Sequence, residues 1–453
     1  MNTPPKPDWI SRFSRSVGTL VPDATSASAI LLVILVAAAL ALGNGVTATA
    51  DAYYRGLWML LPFTMQMTLI LVLSSVASAT AVFRNSVVRL AQLPRNMTQL
   101  VALAVCLNAA LSYLYWGLAL ALGPLIAIHF ARAAERKGIL VDFPFLLATV
   151  GAAASVWQFG LSSSAPLLMA TPGNFLEATT GVMSLRSTIW APSAILLCVT
   201  FPIALVVVAR LLMPRSPQPL SAFPEANNLA APAPEGAMTD PPSESTGFAG
   251  WAERSRVMTG ILVVAMVGWL YHHFVTKQAG LDLNAMNTML LLLCFLLHRN
   301  VASFSRAMQG AVQTCWPILV LYQLYGGVAG LLQYTSVGET FAGLFASVST
   351  HLTFPLMTAI AATVVAVFVP SSGGQWVIQG FVTTKAAAAV GLTAQRGLLA
   401  LSVGDQMGNL VSPFWPVLAA GIARVDFRKF FGYGLVFAAL WFVMGVLIFT
   451  LVP

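Results

Sequence analysis

The sequence predicts an all-α, polytopic membrane protein of roughly 10–12 membrane segments in two related halves, with broken or re-entrant hairpins. Three observations carry this expectation. Hydrophobic residues make up 58% of the 453 and charged residues only 8%, where a soluble domain carries about 25% charged. Long apolar runs are interrupted by Ser, Gly, Pro and Gln, most plainly at Phe368–Gly380, FVPSSGGQWVIQG. A comparable break occurs once in each half of the chain. Unwound backbone in hydrocarbon leaves N–H and C=O groups unpaired at several kcal/mol each, so it persists only where it is buried in protein or lines a wet cavity.

Taken in order, residues 1–25 form a polar, basic segment. The first apolar run, Ser26–Leu42, lacks a small-residue cleavage site ahead of Asn44 and reads as a retained helix rather than a signal peptide. Run two is Leu57–Phe83, with Pro62 and Gln66. Run three, Leu100–Phe130, is too long for one comfortable span and reads as one tilted helix or two shorter ones. Asn108, Ser112, Trp116–Gly117 and Gly123–Pro124 interrupt it. Run four, Phe143–Phe159, flows into Gly160-Leu-Ser-Ser-Ser-Ala-Pro166 and then Thr171-Pro-Gly-Asn174. Run five, Thr188–Met213, completes a first transmembrane half, 26–213.

Residues 214–256 read as a solvated, proline-rich linker with no core to build, and 257–453 as the second half. That half runs Val257–Phe274, Met286–Leu297, Thr314–Leu332, Phe341–Val348 and Phe354–Val369. It continues through the Phe368–Gly380 break to Trp376–Val390, Leu398–Ile422 and Phe431–Leu451. An internal repeat supports the division. Asp142-Phe-Pro-Phe opens a run that meets Ser162, and Thr353-Phe-Pro-Leu opens another that meets Ser371. Interrupted segments at corresponding positions of two halves are the sequence mark of a transporter binding site.

The net charge of +8 is spread over the gaps between apolar runs, at Arg84–Arg95, Arg132–Lys137, Arg299–Arg306 and Arg424–Lys429. That distribution is a topogenic pattern rather than a nucleic-acid footprint, and the tail and first basic loop favour a cytoplasmic N-terminus. Cys106, Cys198, Cys294 and Cys315 sit singly in apolar runs and read as core hydrophobes. The lipid bilayer is the partner this composition requires; nucleic acid is not expected, and a homo-oligomer is compatible with it. A membrane enzyme would need a nucleophile, metal set or acid pair, and one intramembrane carboxylate is offered.

Three polar constellations are candidates for chemistry. The first is Ser162, Ser163 and Ser164 with Thr171 and Asn174. The second is Ser371, Ser372, Gly373, Gly374 and Gln375, with Trp376 placed either to wall a cavity or to sit at the interface. Each offers hydroxyl and amide groups where a helix is interrupted. A helix N-terminus favours an anion and freed carbonyls favour Na⁺; the plainer reading is a pair of serine-rich kinks. The third is Asp405 with Gln406 and Asn409, of which Asp405 and Asn409 share one helical face. Asp405 reads either as a coupling residue for Na⁺ or H⁺ or as a helix cap. Asn108 reads as a further coupling residue or as glue between helices.

At these residues the chain resembles the short-chain fatty acid transporter family, the AtoE-like bacterial inner-membrane carriers. The resemblance rests on Leu20-Val-Pro-Asp23, Gly56-Leu-Trp58 with Met65-Gln-Met67, Trp116-Gly117, Pro166-Leu-Leu168, Ala170-Thr-Pro-Gly-Asn174, Pro370-Ser-Ser-Gly-Gly-Gln-Trp-Val-Ile-Gln-Gly380 and Pro413-Phe-Trp415. It implies ion-coupled uptake, in symport with H⁺ or Na⁺ and without any other cofactor, of monocarboxylates such as acetoacetate or butyrate. The chain departs from the family pattern in its triple serine and in Asp405, where a longer Glu is expected. A Na⁺-coupled carrier of another small organic acid, such as a dicarboxylate, is the alternative.

Overall fold

The computed structural model describes residues 24–214, 216–229, 247–298, 300–313, 315–412 and 414–452. The N-terminal segment to 23 with its Leu20–Asp23 motif, Arg299, Pro413 and residues 215 and 230–246 of the linker lie outside them. The described residues hold helices and no strand. Among the described residues, seven helices are long and apolar enough to cross a membrane, and five shorter apolar helices accompany them.

The surface is a bilayer surface. Helix α9 (Pro192–Leu212) buries Ala194, Leu197, Phe201, Leu205 and Ala209, and exposes Val199, Ile203, Val207 and Leu211 on its other face. Both faces are apolar at helical spacing, which is stable only when the outer one meets lipid.

Helix α1 (Ala24–Ala41) leads to α2 (Val46–Met59) and α3 (Leu61–Ser78). The α2–α3 run bends at Leu60 because Pro62 has no N–H for the Trp58 carbonyl; the Leu60 N–H takes that carbonyl instead. A short amphipathic helix, α4 (Ala81–Ala91), follows. Run three is two helices, α5 (Met97–Leu114) and α6 (Trp116–Arg136), folded back on each other at extended Tyr115 so that Asn108 faces Gly123. Pro124 is absorbed inside α6 without ending it.

The first hairpin is α7 (Phe143–Ala153), a tighter turn of helix over Ala154–Phe159, and a return arm α8 (Ser164–Ala170). After α9 the chain re-docks. Residues 216–229, expected to be solvated linker, pack on the base of this hairpin. Gln218 donates its N–H to the Asp142 carboxylate at 2.9 Å and accepts the Phe143 N–H at 2.9 Å, Leu220 and Ala226 are fully buried, and Phe223 meets Phe143 edge to face. Three apolar anchors spaced among the prolines are enough to hold this strap, which composition alone does not reveal.

In the second half, α10 (Gly247–Arg254), α11 (Arg256–Tyr271) and α12 (Leu283–Leu297) precede an amphipathic helix, α13 (Val301–Val312). It stands at the position that α4 holds in the first half. Then come α14 (Trp316–Tyr334), α15 (Ser336–Ser347) and the second hairpin, α16 (Phe354–Phe368) and α17 (Ser372–Ala389). Both hairpins open on Phe-Pro, with proline in the first turn where its missing N–H costs nothing. The expected Leu398–Ile422 run is broken in two, α18 (Ala394–Val411) and α19 (Phe414–Ala423); α20 (Phe431–Leu451) ends the fold.

Two helix pairs touch backbone to backbone. A Cβ on Gly56 of α2 would stand 2.3 Å from the Gly326 carbonyl of α14, and one on Gly404 of α18 would stand 2.0 Å from the Ala359 carbonyl of α16. Small residues at such contacts are how helices associate where lipid removes the hydrophobic drive. Cys294 and Cys315 are buried as expected, whereas Cys106 is exposed on the outer face of α5.

Candidate functional site

The first hairpin tip, Gly160–Ser163, is fastened to the α5–α6 turn. A Cβ at Gly160 would lie 2.5 Å from the Tyr113 carbonyl, so only glycine permits the approach. That carbonyl accepts the Leu161 N–H at 2.6 Å. The Ser162 hydroxyl accepts the Trp116 N–H at 2.9 Å, satisfying an orphan donor at the start of α6. Ser163 donates to the Gln158 carbonyl at 2.5 Å. Ser164 faces the other hairpin: its Oγ accepts the Gly373 N–H at 3.0 Å.

The second tip, Val369–Ser371, is held from the side of α14. Ser371 caps α17, accepting the Gly374 N–H at 3.4 Å, and its Oγ shares a hydrogen bond with the Tyr322 hydroxyl at 2.8 Å. Tyr322 stacks flat on Phe63, with ring centroids 5.4 Å apart. Phe63 in turn lies against Gly373, where a Cβ would stand 2.5 Å from its ring. The Ser372 hydroxyl is buried at the first turn of α17 and has no hydrogen-bond partner.

Behind the tips lies Asp405, with no exposed surface. Its Oδ2 accepts from the Gln158 amide and, at 2.8 Å, from the Asn409 amide, while Oδ1 has no partner. These partners are neutral. Gln406 extends the network, accepting from Trp157 Nε1 at 2.8 Å and donating to Ser155 Oγ at 2.9 Å. Asn409 also accepts from Trp415 Nε1 at 3.3 Å. A buried carboxylate that receives hydrogen bonds only from neutral amides retains most of its desolvation cost.

Gln406, Asn409, Trp157 and Trp415 border a cavity of about 650 Å³, whereas Asp405 and Gln158 lie behind its wall and do not line it. Its polar rim includes Asn108, Ser164, Tyr322, Tyr325, Ser371, Ser372, Gln406 and Asn409, and most of its remaining wall is apolar, from Met67 and Leu71 to Leu418 and Ile422. No Lys, Arg or His is among its lining residues within the described part of the chain.

Of the residues singled out in the sequence, Ser164, Ser371, Ser372, Asn108 and Asn409 border the cavity. Gly373 and Gly374 sit just behind the rim, where their missing side chains admit Phe63 and Tyr325. Ser162 and Ser163 hold the tip rather than face the cavity. Thr171 donates to the Leu167 carbonyl at 2.7 Å, and Asn174 accepts the Leu176 N–H at 3.1 Å, so both shape the turn after α8 away from the cavity. Gln375 donates to the Ala362 carbonyl at 2.7 Å, and Trp376 is fully buried in a core shared with Leu176; neither lines the cavity. Asn108 donates to the Val150 carbonyl at 2.7 Å while its Oδ1 stays unpartnered, so it ties α5 to α7 and borders the cavity at once.

Gln158, Tyr322, Trp157 and Trp415 were not singled out. Gln158 carried a signal, a carboxamide ending an apolar run two residues before the serine-rich break. Tyr322 and Tyr325 carried one as well, two hydroxyl-bearing rings in the Tyr-Gln-Leu-Tyr-Gly-Gly stretch.

The sequence pattern of the family described as short chain fatty acid transporter matches residues 9–452. A protein of Escherichia coli (strain K12) described as "Putative short-chain fatty acid transporter" is 29% identical over 449 residues, covering 97% of this chain and 99% of that protein. A protein of Haemophilus influenzae with the same description is 28% identical over 452 residues, covering 96% and 99%. The crystal structure of the Alcanivorax borkumensis YdaH transporter, described as having an unusual topology, superimposes with a TM-score of 0.59 at 14% identity over 95% of this chain and 97% of that one. At that identity the likeness speaks for the fold.

Proposed function

Because the chain belongs to the short-chain fatty acid transporter family, a family of membrane carriers and not enzymes, we propose that it takes up small monocarboxylates such as acetoacetate and butyrate in symport with a cation across a bacterial inner membrane. The observation that carries this reading is the buried, unpartnered Ser372 hydroxyl on the cavity wall at the start of an 18-residue helix. A substrate carboxylate there meets the Ser372 and Tyr322 hydroxyls and the positive end of the α17 dipole. The alkyl part faces apolar wall. The absence of Lys, Arg and His from the lining favours one carboxylate over two, since a second anionic group in a low-dielectric cavity would go unpaired.

The need for a cation follows from charge. A bound monocarboxylate beside ionised Asp405 puts two anions in one water-poor region, where like charges repel by several kcal/mol. A Na⁺ at the free Asp405 Oδ1, or a proton on it, removes one of them. Substrate and cation then bind together, which is coupling. Symport of one monoanion with one proton is electroneutral and draws on the pH and substrate gradients; a second cation would add about 2.3 kcal/mol per 100 mV of membrane potential.

The test is initial-rate uptake of labelled acetoacetate into proteoliposomes, with the pH and Na⁺ gradients imposed separately and protein-free liposomes as control. Uptake driven by one gradient supports the reading and identifies the ion. Absence of uptake under both, with protein shown to be folded, overturns the monocarboxylate assignment.

A further inference from the structure

The cavity is larger than its proposed substrates. Butyrate has six heavy atoms and fills roughly 180 Å³ at about 30 Å³ per water-sized group; the cavity holds about 650 Å³. The excess volume is mostly apolar, with the Asn108 amide at its edge beside Gly123 and Val150. Away from the hairpin tips the cavity continues as an apolar lobe between α6, α7 and α19, walled by Leu120, Pro124, Leu147, Ala148, Leu418 and Ile422.

One position on its wall carries no side chain. Every residue of α7 is buried except Gly151, which is exposed and lines the cavity. A Cβ built on it would meet nothing within 4 Å, so glycine is not required there by backbone strain or by close packing. Its neighbours on the same face, Leu147 and Ala148, are part of the wall. Gly151 lies seven residues before Gln158, about 10–14 Å along the helix from the residue whose amide donates to Asp405. An extended eight-carbon carboxylate measures about 9–10 Å from its oxygens to its last carbon and so comes up to the near end of that distance.

We infer that the lobe takes the alkyl tail of medium-chain monocarboxylates, of about six to eight carbons, and that Gly151 sets the chain length admitted. This rests on the reading that the carboxylate sits at the hairpin tips. Short substrates fill only the polar end; longer ones displace water from the lobe and bind more tightly, by up to about fourfold per added methylene.

The experiment measures inhibition of labelled acetoacetate uptake by butyrate, hexanoate and octanoate at pH 7.5, in wild type, Gly151→Ala and Gly151→Leu. The expected result is half-inhibition at progressively lower concentration as the chain lengthens in wild type. The butyrate-to-octanoate ratio should fall at least tenfold in Gly151→Leu and part-way in Gly151→Ala. Octanoate no more potent than butyrate in wild type, or a ratio unchanged in Gly151→Leu, overturns the inference; general damage to the carrier would move both inhibitors together. Tryptophan quenching by 8-bromooctanoate in proteoliposomes separates the two readings. Saturable quenching in wild type that is lost in Gly151→Leu supports the lobe even if acetoacetate is not transported. Quenching that is equal in both proteins overturns it.

Discussion

The Ser164 hydroxyl accepts the Gly373 amide at 3.0 Å, across 209 residues of sequence, and joins the tips of the two hairpins. The contact lies on the cavity wall and closes a chain of neighbours running Gly373, Phe63, Tyr322, Ser371. Loss of the Ser164 hydroxyl leaves the Gly373 N–H buried without a partner, at about 1–3 kcal/mol. Ser164→Ala is expected to lower thermal stability by that amount and to reduce uptake. Gly373→Ala forces Phe63 aside and with it Tyr322, so uptake should fall further. Thermal unfolding and uptake measured on the same preparations check both, and wild-type uptake in Gly373→Ala would show that the tips have slack.

Ser372 has no partner to lose. Ser372→Ala therefore leaves stability unchanged or slightly raised and removes one donor to the carboxylate, worth about 1.5–3 kcal/mol for a charged acceptor, or roughly tenfold to a hundredfold in KM. The maximal rate should change less than KM. Unaltered uptake kinetics would remove Ser372 from the substrate site.

Asp405→Asn keeps the shape of the side chain and abolishes its charge. Accumulation against a gradient should be lost, while exchange of labelled for unlabelled substrate persists. Counterflow and net uptake in the same vesicles separate the two, and full accumulation in the variant would refute the coupling role.

Gly404 and Gly408 set the spacing of α16 and α18. A Cβ at Gly408 would stand 2.4 Å from the Ala366 Cβ and 2.7 Å from the Thr363 carbonyl. Overpacking of this kind costs about 1–3 kcal/mol or more. Gly404→Ala and Gly408→Ala are expected to unfold at lower temperature and to misplace Asp405, which shares α18. Gly421→Ala on α19, where a Cβ meets nothing within 4 Å, should behave as wild type; equal losses in all three would argue against the packing explanation.

The local features were legible because they are local. Phe143-Pro144 and Phe354-Pro355 mark the two hairpin starts, and the serine and glycine breaks mark the tips. Asp405 stood out as a carboxylate in an apolar run. What the sequence hides is who meets whom. Gln158 reaches Asp405 across 247 residues, and no periodicity encodes that pairing. Ser162 and Ser163 look the same as Ser164 in composition, yet two of the three spend their hydroxyls on backbone groups of their own half and one on the opposite hairpin. Pro124 shows the same limit. One proline sits quietly inside α6, and the chain breaks instead at Tyr115, where no proline stands.

The small-residue face that α2 turns to the α14 glycines, Ala52 and Gly56, bears on how the protein is made. Asn44, just ahead of α2, bonds Ser336 at the start of α15 across 292 residues. At about 5–20 residues per second of synthesis, that partner arrives roughly 15–60 s later. Through this interval Gly56 presents bare backbone to whatever surrounds the nascent chain. A helix with such a face self-associates readily. The insertion machinery must therefore shelter α2 until the second half emerges, and slowed translation beyond residue 230 should raise the yield of cross-linked, mispaired chains.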